Sequence, residues 1–554
     1  MKSSSGIQKV LSDKRLIFCS LITGLIFAGT LVVGNHMFQY EDMVGNGMIS
    51  TIVKILLLAL ILSYFVAIAM SGYDVAIQRL RTCSLEIIFS KYMSGTRNFF
   101  LILWALTFLA WLPGLLAAFP GVYDIDGAFQ IMWFERGTIS AHHPVLHTYL
   151  LGGLVEAGKH LFGSYEAGLL CYSIFQMLCM SGMFAYISKK TCKWLPGIIE
   201  LCVILSYMIL PYHAVLSFTT TKDVLFAGIF AIWVLKTFEC VLDKEHFFSD
   251  KKSQLQYVIV IFLMCAFRNT GYYIMLFMIL FFLVLCRRYW KNILCIGLAG
   301  MFVWNLYTGP VYNLLNIQRG SEAEVLSVPM QQLSRVIVYS GDTLASGDKA
   351  LIEKYIPEYT EYTPRVSDSV KDTFNVEAYK ENKIEFLKLW LRVGVAHPVT
   401  YVEAFLSNNI GFWYLNMKYP DEGTFLSYIV YHNTEYKGDW PEIKRTSYLP
   451  ALSEFYDKFT QQGMYYKIPG AFVWYSGGVL LWMLVLGVCM CIYKRRYEVL
   501  VPFSILIGLW GTLMLSPVVV FRYIYPLSVS VPVILSMCIT VQPYTETKQS
   551  RMAK

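Results

Sequence analysis

FPGVYDIDGAFQIMWFERGTISAHHPVLH, residues 119–147, lies between apolar runs near 98–118 and 166–187 that are long enough to span a bilayer. It carries Asp124, Asp126, His142, His143 and His147, side chains for which the sequence offers no obvious packing role. Carboxylates and imidazoles at a membrane boundary are costly to hold, so they read first as chemistry and second as scaffold. The fold class follows from what surrounds this stretch.

The chain has 554 residues, of which 56% are hydrophobic, 16% aromatic and 15% charged. With a mean hydropathy of +0.50 it is too apolar for a soluble protein of this size. It reads as an all-α polytopic membrane protein. About twelve transmembrane helices are predicted, near 16–34, 50–70, 98–118, 166–187, 197–216, 223–240, 255–267, 271–286, 292–312, 469–492, 498–517 and 523–540. The net charge of +8 sits in short clusters between these runs rather than on one continuous face, which excludes nucleic acid as a partner. None of the 13 cysteines falls between Tyr312 and Gly470, and no disulfide framework or CxxC metal pair is present. Lys2, Lys9, Lys14 and Arg15 precede an apolar run without a small-residue cleavage site, the pattern of a retained anchor.

Basic residues in the short connections set the orientation: Arg79, Arg81, Lys91 and Arg97; Lys189, Lys190 and Lys193; Lys244, Lys251 and Lys252; Arg287, Arg288 and Lys291; Lys494, Arg495 and Arg496. All lie on one side if both termini are cytoplasmic, and residues 119–147, Lys222, Arg268 and Arg522 then lie outside the cell membrane. Three units follow. Residues 1–312 form a membrane module with the acidic loop 119–147 and, at 144–162, a helix too polar for lipid that suits the outer interface. Residues 313–468 form a mainly helical extracytoplasmic domain, with helical patterns near Pro329–Tyr339, Ile384–Val395 and Val399–Leu415. Residues 469–554 supply the last spans and a short cytoplasmic tail.

Flanked by Pro120, Gly121 and Gly127, Asp124 and Asp126 read as an irregular loop in which both carboxylates face one side. One carboxylate can take a proton from a hydroxyl while the other orients it or holds a metal; the bland alternative is a solvated turn. His143 and His147 have the spacing of helical metal ligands, but Pro144 pushes His143 out of a helix and favours capping and headgroup contacts over metal ligation. No cofactor is required by the pattern, and a divalent cation (Mg or Mn) would take Asp126 and His143. Lys222, at the start of a span after Thr219–Thr221, suits a phosphate at a helix N-terminus, against a local ion pair with Asp223. Arg268 and Arg522 repeat a cation at two further boundaries; converging, they build an anion site, and alone they meet lipid headgroups. Gln332 and Arg335, in SVPMQQLSR, and Asn408, Asn409 and Trp413 are weighed as sugar or phosphate contacts against amphipathic surface.

PGVYDIDGAFQ, HHPVLHTYLLGG, SFTTTKDVLF and SVPMQQLSR, read with the topology, resemble the GT-C superfamily of polyprenyl-phosphate-sugar-dependent glycosyltransferases. The resemblance implies transfer of a sugar, among membrane lipids, from a polyprenyl-phosphate donor to a cell-envelope acceptor (glycan, lipid or protein), with inversion. It maps the catalytic acid to Asp126 or Asp124; the residues read above as meeting the substrate are His142, His143, Lys222, Arg268, Gln332, Arg335 and Arg522. Two departures stand out. The acidic loop follows the third span rather than the first, and no WWD-type motif is present, which argues against transfer to asparagine. The rival class is a transporter or flippase, which would place charges near the bilayer midplane and repeat its halves.

Overall fold

The computed structural model describes residues 13–45, 47–83, 98–418, 428–435 and 438–539. The basic residues Lys2, Lys9, Lys91 and Arg97, and the tail beyond 539, lie outside the described residues. Backbone groups in hydrocarbon must pair within their own segment, and the apolar runs accordingly form helices. Those up to the hydrophilic region are α1 (Lys14–Tyr40), α2 (Met48–Arg81), α3 (Phe99–Ala117), α4 (Ile125–Arg136), α5 (Val145–Phe162), α6 (Tyr165–Thr191), α7 (Gly197–Ile209), α8 (Pro211–Ser217), α9 (Lys222–Leu242), α10 (Lys251–Phe267), α11 (Gly271–Leu285) and α12 (Trp290–Leu306). The hydrophilic region contributes α13 (Ser327–Ser340), α14 (Lys383–Ala396) and α15 (Pro398–Asn408), and the chain closes with α16 (Gly477–Tyr493), α17 (Leu500–Leu513), α18 (Phe521–Val529) and α19 (Val531–Ile539). Among the described residues extended pairing is limited to isolated bridges.

Among the described residues seven helical segments are long and apolar enough to cross a membrane, and the pair α7–α8, bent by 52° at its break, makes an eighth if it is one span. The remaining expected spans fall on α10, α11, α16 and α17, which are 14 to 17 residues long. Burial ranks these helices. In the most apolar window of α9, 78% of the residues are buried, against 22% for α2, so α9 is the axis of the bundle and α2 its edge. The axis is enclosed by α6, α10, α17 and α18, with Phe226, Phe230 and Trp233 fully buried. The hairpin α1–α2 leans on α16, where Phe27 stacks on Trp482 at 3.8 Å. It closes tightly because a Cβ at Gly24 would lie 2.6 Å from the Ala59 carbonyl.

α9 has 21 residues, a length of about 30 Å. Near its C-terminal end Lys190 pairs with Glu239 at 2.8 Å and Lys244 with Glu498 at 2.6 Å. Its N-terminal end carries a second, denser charge cluster. The basic connections and the acidic stretch therefore sit at opposite ends of the bundle.

The hydrophilic region divides in two. Its first part is helical around its own core of Met330, Leu333, Val336, Phe386, Leu389 and Val393. Its second part, including Tyr428, Tyr431, Tyr456 and Tyr465, packs its rings into the core of the bundle. The helix expected over Val399–Leu415 stops at Asn408. There the Asn408 and Asn409 amides donate to the carbonyls of Ser516 and Met514, at 2.9 and 3.1 Å, and Trp413 donates to Asn409. These three side chains are buried and anchor a chain crossing.

Candidate active site

After α3 the chain turns at Gly121, whose φ of +147° suits glycine. Val122 then pairs with the strand-like run before α9: its N–H donates to the Phe218 carbonyl at 2.9 Å and its carbonyl accepts from Thr220 at 3.0 Å. The Thr220 hydroxyl accepts from the Asp124 N–H at 2.9 Å. Asp124 in turn caps α4, its Oδ1 accepting from the Ile125 N–H at 2.9 Å, and Asp126 lies in the first helical turn. The two aspartates thus sit at a helix N-terminus, where negative charge is favoured, and not in the irregular loop expected from the flanking glycines. The glycine has another use: a Cβ at Gly127 would lie 2.2 Å from Thr220 Oγ1 and 3.0 Å from its carbonyl oxygen. Gly127→Ala is expected to push α4 off this run at a cost of about 1–3 kcal/mol. A thermal unfolding temperature equal to wild type would show that α4 is not seated this closely.

Three acids and three bases converge beside this junction. Lys222 Nζ is 2.7 Å from Asp126 Oδ2 and 3.3 Å from His143 Nδ1. Arg522, in the first turn of α18, lies 2.5 Å from Asp124 Oδ2, 3.2 Å from Asp126 Oδ2 and 3.7 Å from Asp223 Oδ2. Arg268 pairs with Asp223 at 3.0 Å and rests against the rings of Phe226 and Tyr523. The pair Lys222–Asp223 is therefore not a local ion pair, since each partner reaches a different element. Formally the six charges cancel.

Burial works upward on the Asp126 carboxyl, but the Arg522 and Lys222 charges outweigh it and hold Asp126 well below the usual carboxylate range. Burial pushes Asp124 up, and its 2.5 Å contact with Arg522 offsets this only in part. Burial, reinforced by the Lys222 charge, keeps His143 neutral to well below its ordinary range.

His147 is a scaffold residue. Its Nδ1 donates to Gln130 Oε1 at 2.6 Å and its Nε2 lies 2.7 Å from the Tyr172 hydroxyl. The Tyr172 oxygen also lies 2.7 Å from Gln176 Oε1, and the Gln176 amide donates to the carbonyls of Leu216, Ser217 and Thr219. This chain of bonds locks α4, α5 and α6 to the run that ends in Lys222. Burial pushes His147 down from 6.5 to about 3. Its unfolded form binds a proton below about pH 6.5 that the folded form refuses, so its contribution is complete above that pH and is lost as the pH falls toward 3. Stability is expected to fall by about 1.4 kcal/mol per pH unit from this group alone. The slope of thermal stability between pH 7 and 5 should flatten in His147→Gln; an unchanged slope would place the titrating group elsewhere.

A cavity of about 550 Å³ opens over the cluster. Asp124, Asp126, His142, His143, Lys222 and Arg522 line it from the bundle, and Glu324, Asp368, Lys371 and Asp372 from the hydrophilic region. Lys371 is held by Asp368 at 2.7 Å and Glu324 at 3.3 Å. No spacing in the sequence marks these four residues; folding alone brings them to the cavity. Arg268 stands behind the lining and positions Asp223. Gln332 and Arg335 are elsewhere. Gln332 bonds Tyr401 and Trp390, while Arg335, 3% exposed, donates to the Glu41 carbonyl and pairs with Glu403 at 3.4 Å. Both are corrected from substrate contacts to ties between α13, α14, α15 and the α1–α2 turn.

A divalent ion between Asp126 and His143 would meet the Lys222 ammonium in that place. Among the described residues no group of three or more His, Cys, Asp or Glu side chains is arranged to hold a metal ion.

Residues 122–552 match the model of the Family of unknown function (DUF6020), and the chain belongs to that family. No curated protein and no solved structure matches it.

Proposed function

We propose that this chain is a multi-pass glycosyltransferase of the cell membrane, with about twelve spans of the GT-C type. In this reading both termini are cytoplasmic, and the cavity opens on the extracytoplasmic side. The observation that carries the reading is the pairing, on one cavity wall, of two cations from different helices with two carboxylates at a helix start. A lipid-linked sugar phosphate needs both. Its leaving phosphate gathers charge that Lys222 and Arg522 absorb, and the attacking hydroxyl needs a base.

The step balances as follows. The acceptor oxygen bonds to the anomeric carbon from the face opposite the phosphate. The bond from that carbon to the phosphate oxygen breaks, and its electron pair leaves with polyprenyl phosphate. The hydroxyl proton passes to Asp126. Asp126 is a better choice than Asp124, whose Oδ1 caps α4 and whose Oδ2 is bound by Arg522. Asp126 is paired with both Lys222 and Arg522. A phosphate that draws Lys222 and Arg522 toward itself restores the basicity of Asp126, so the donor prepares the base.

The rival reading, a transporter or flippase, has one observation in its favour: the 52° break between α7 and α8, a feature of alternating-access proteins. The charges, however, gather at one end of α9 rather than midway along it. Sealed proteoliposomes loaded with polyprenyl-phosphate sugar separate the two: breakage of the sugar–phosphate bond supports the transferase, and movement of intact lipid-linked sugar between leaflets without breakage supports transport.

A further inference from the structure

A second cavity, of about 440 Å³, lies directly beside the first. His142 and Glu324 line both cavities and form the wall between them. That wall is thin and loosely made. His142 Nδ1 and Glu324 Oε1 are 3.8 Å apart, beyond hydrogen-bond distance, and their side chains are 39% and 37% exposed. Parting an exposed pair of this kind costs little.

The lining of the second cavity is unlike that of the first. Among the described residues it contains Asn269, Thr308, Tyr312, Asn313 and Arg319, with no carboxylate other than the shared Glu324. Among the described residues the side chains of Asn269, Asn313 and Arg319 have no hydrogen-bond or ion-pair partner in the protein. Two amides and a guanidinium offer several donors and acceptors with broad angular range, and Tyr312 adds an aromatic ring. These groups match a ring bearing many hydroxyls. A dense anion would be served better by the first cavity, where Lys222, Lys371 and Arg522 lie.

We infer that the second cavity is the acceptor subsite, taking a carbohydrate whose attacking hydroxyl passes between His142 and Glu324 to reach Asp126. This rests on the glycosyltransferase reading and adds the chemical class of the acceptor and its place. The two cavities then divide the work: the charged one holds the phosphate-linked donor, and the amide-lined one holds a neutral glycan.

Gly309 gives a clean test, because it lines the second cavity and a Cβ there meets nothing within 4 Å. Gly309→Trp enters the cavity from a position with room for a Cβ; Gly347→Trp, at an exposed glycine that lines neither cavity and has the same room, is the control, and Arg319→Ala is a second, smaller lesion. Native membranes carrying each variant as the sole copy, and so retaining the natural acceptor, are given polyprenyl phosphate bearing a radiolabelled hexose. Label in glycan is measured against label released as free sugar, with water as the acceptor. For Gly309→Trp and Arg319→Ala, transfer to glycan should fall about tenfold or more while free-sugar release stays within about twofold of wild type. Gly347→Trp should match wild type. Undiminished transfer by Gly309→Trp overturns the subsite, and so does an equal loss of release and transfer in both lesions. If the wild type releases and transfers no label, the transferase reading itself fails and takes the subsite with it.

Discussion

Arg522→Met is expected to unfold well below wild type and to lose all donor cleavage. The guanidinium lies within 4 Å of three carboxylates, those of Asp124, Asp126 and Asp223. Asp124 and Asp223 are 4% and 1% exposed, so neither can turn to water when its partner is removed. Removing one side of a buried ion pair costs about 3–5 kcal/mol, because the remaining charge is left uncompensated. Arg268 still serves Asp223 and Lys222 still serves Asp126, which leaves Asp124 as the stranded group. The double variant Arg522→Met/Asp124→Asn should therefore regain a large part of the lost stability and none of the activity. Thermal unfolding in detergent checks both statements. A single variant that melts with wild type, or a double variant no more stable than the single, would mean that Arg522 does not hold this cluster together. Lysine is no substitute, since a point charge cannot reach carboxylates on two sides of a planar fork.

The second large effect falls on chemistry rather than stability. Asp126→Asn should lower donor cleavage by about two to four orders of magnitude, the usual worth of a positioned base. Its unfolding temperature should change much less than that of Arg522→Met, because an amide oxygen still accepts from Lys222 and the helix start keeps its cap at Asp124. Asp124→Asn is the informative contrast. It weakens the 2.5 Å link to Arg522 and so costs stability, but it leaves the group nearer to solvent in the cavity in place. If Asp124→Asn lost as much turnover as Asp126→Asn at full stability, the two roles would be reversed.

Much of this was legible before folding. Residues 144–162 predict the helix found over Val145–Phe162, bounded by Pro144 and Gly163. The hydropathy runs all fall on helices, and the basic connections mark the end of the bundle opposite the acidic stretch. Lys222, Arg268 and Arg522, singled out as boundary cations, do converge. What was not legible depends on contacts between distant residues. Asp223 reads as the natural partner of Lys222, yet neighbours at the start of a helix point about 100° apart, and each finds a partner elsewhere. Arg335 reads as a sugar contact because a lone arginine on an amphipathic helix looks solvent-facing; only packing shows the Glu41 turn and Glu403 lying over it. Lys371 and its acidic neighbours carry no spacing signal at all, and they reach the cavity through the fold of the hydrophilic region.

The most direct test of the central claim is made with purified protein in proteoliposomes supplied with polyprenyl phosphate bearing a radiolabelled sugar, following the appearance of free polyprenyl phosphate. Wild type should release it, and Asp126→Asn, shown folded by its unfolding temperature, should do so at a rate lower by about two to four orders of magnitude. Intact donor with wild type, or equal release by the two proteins, would contradict the account.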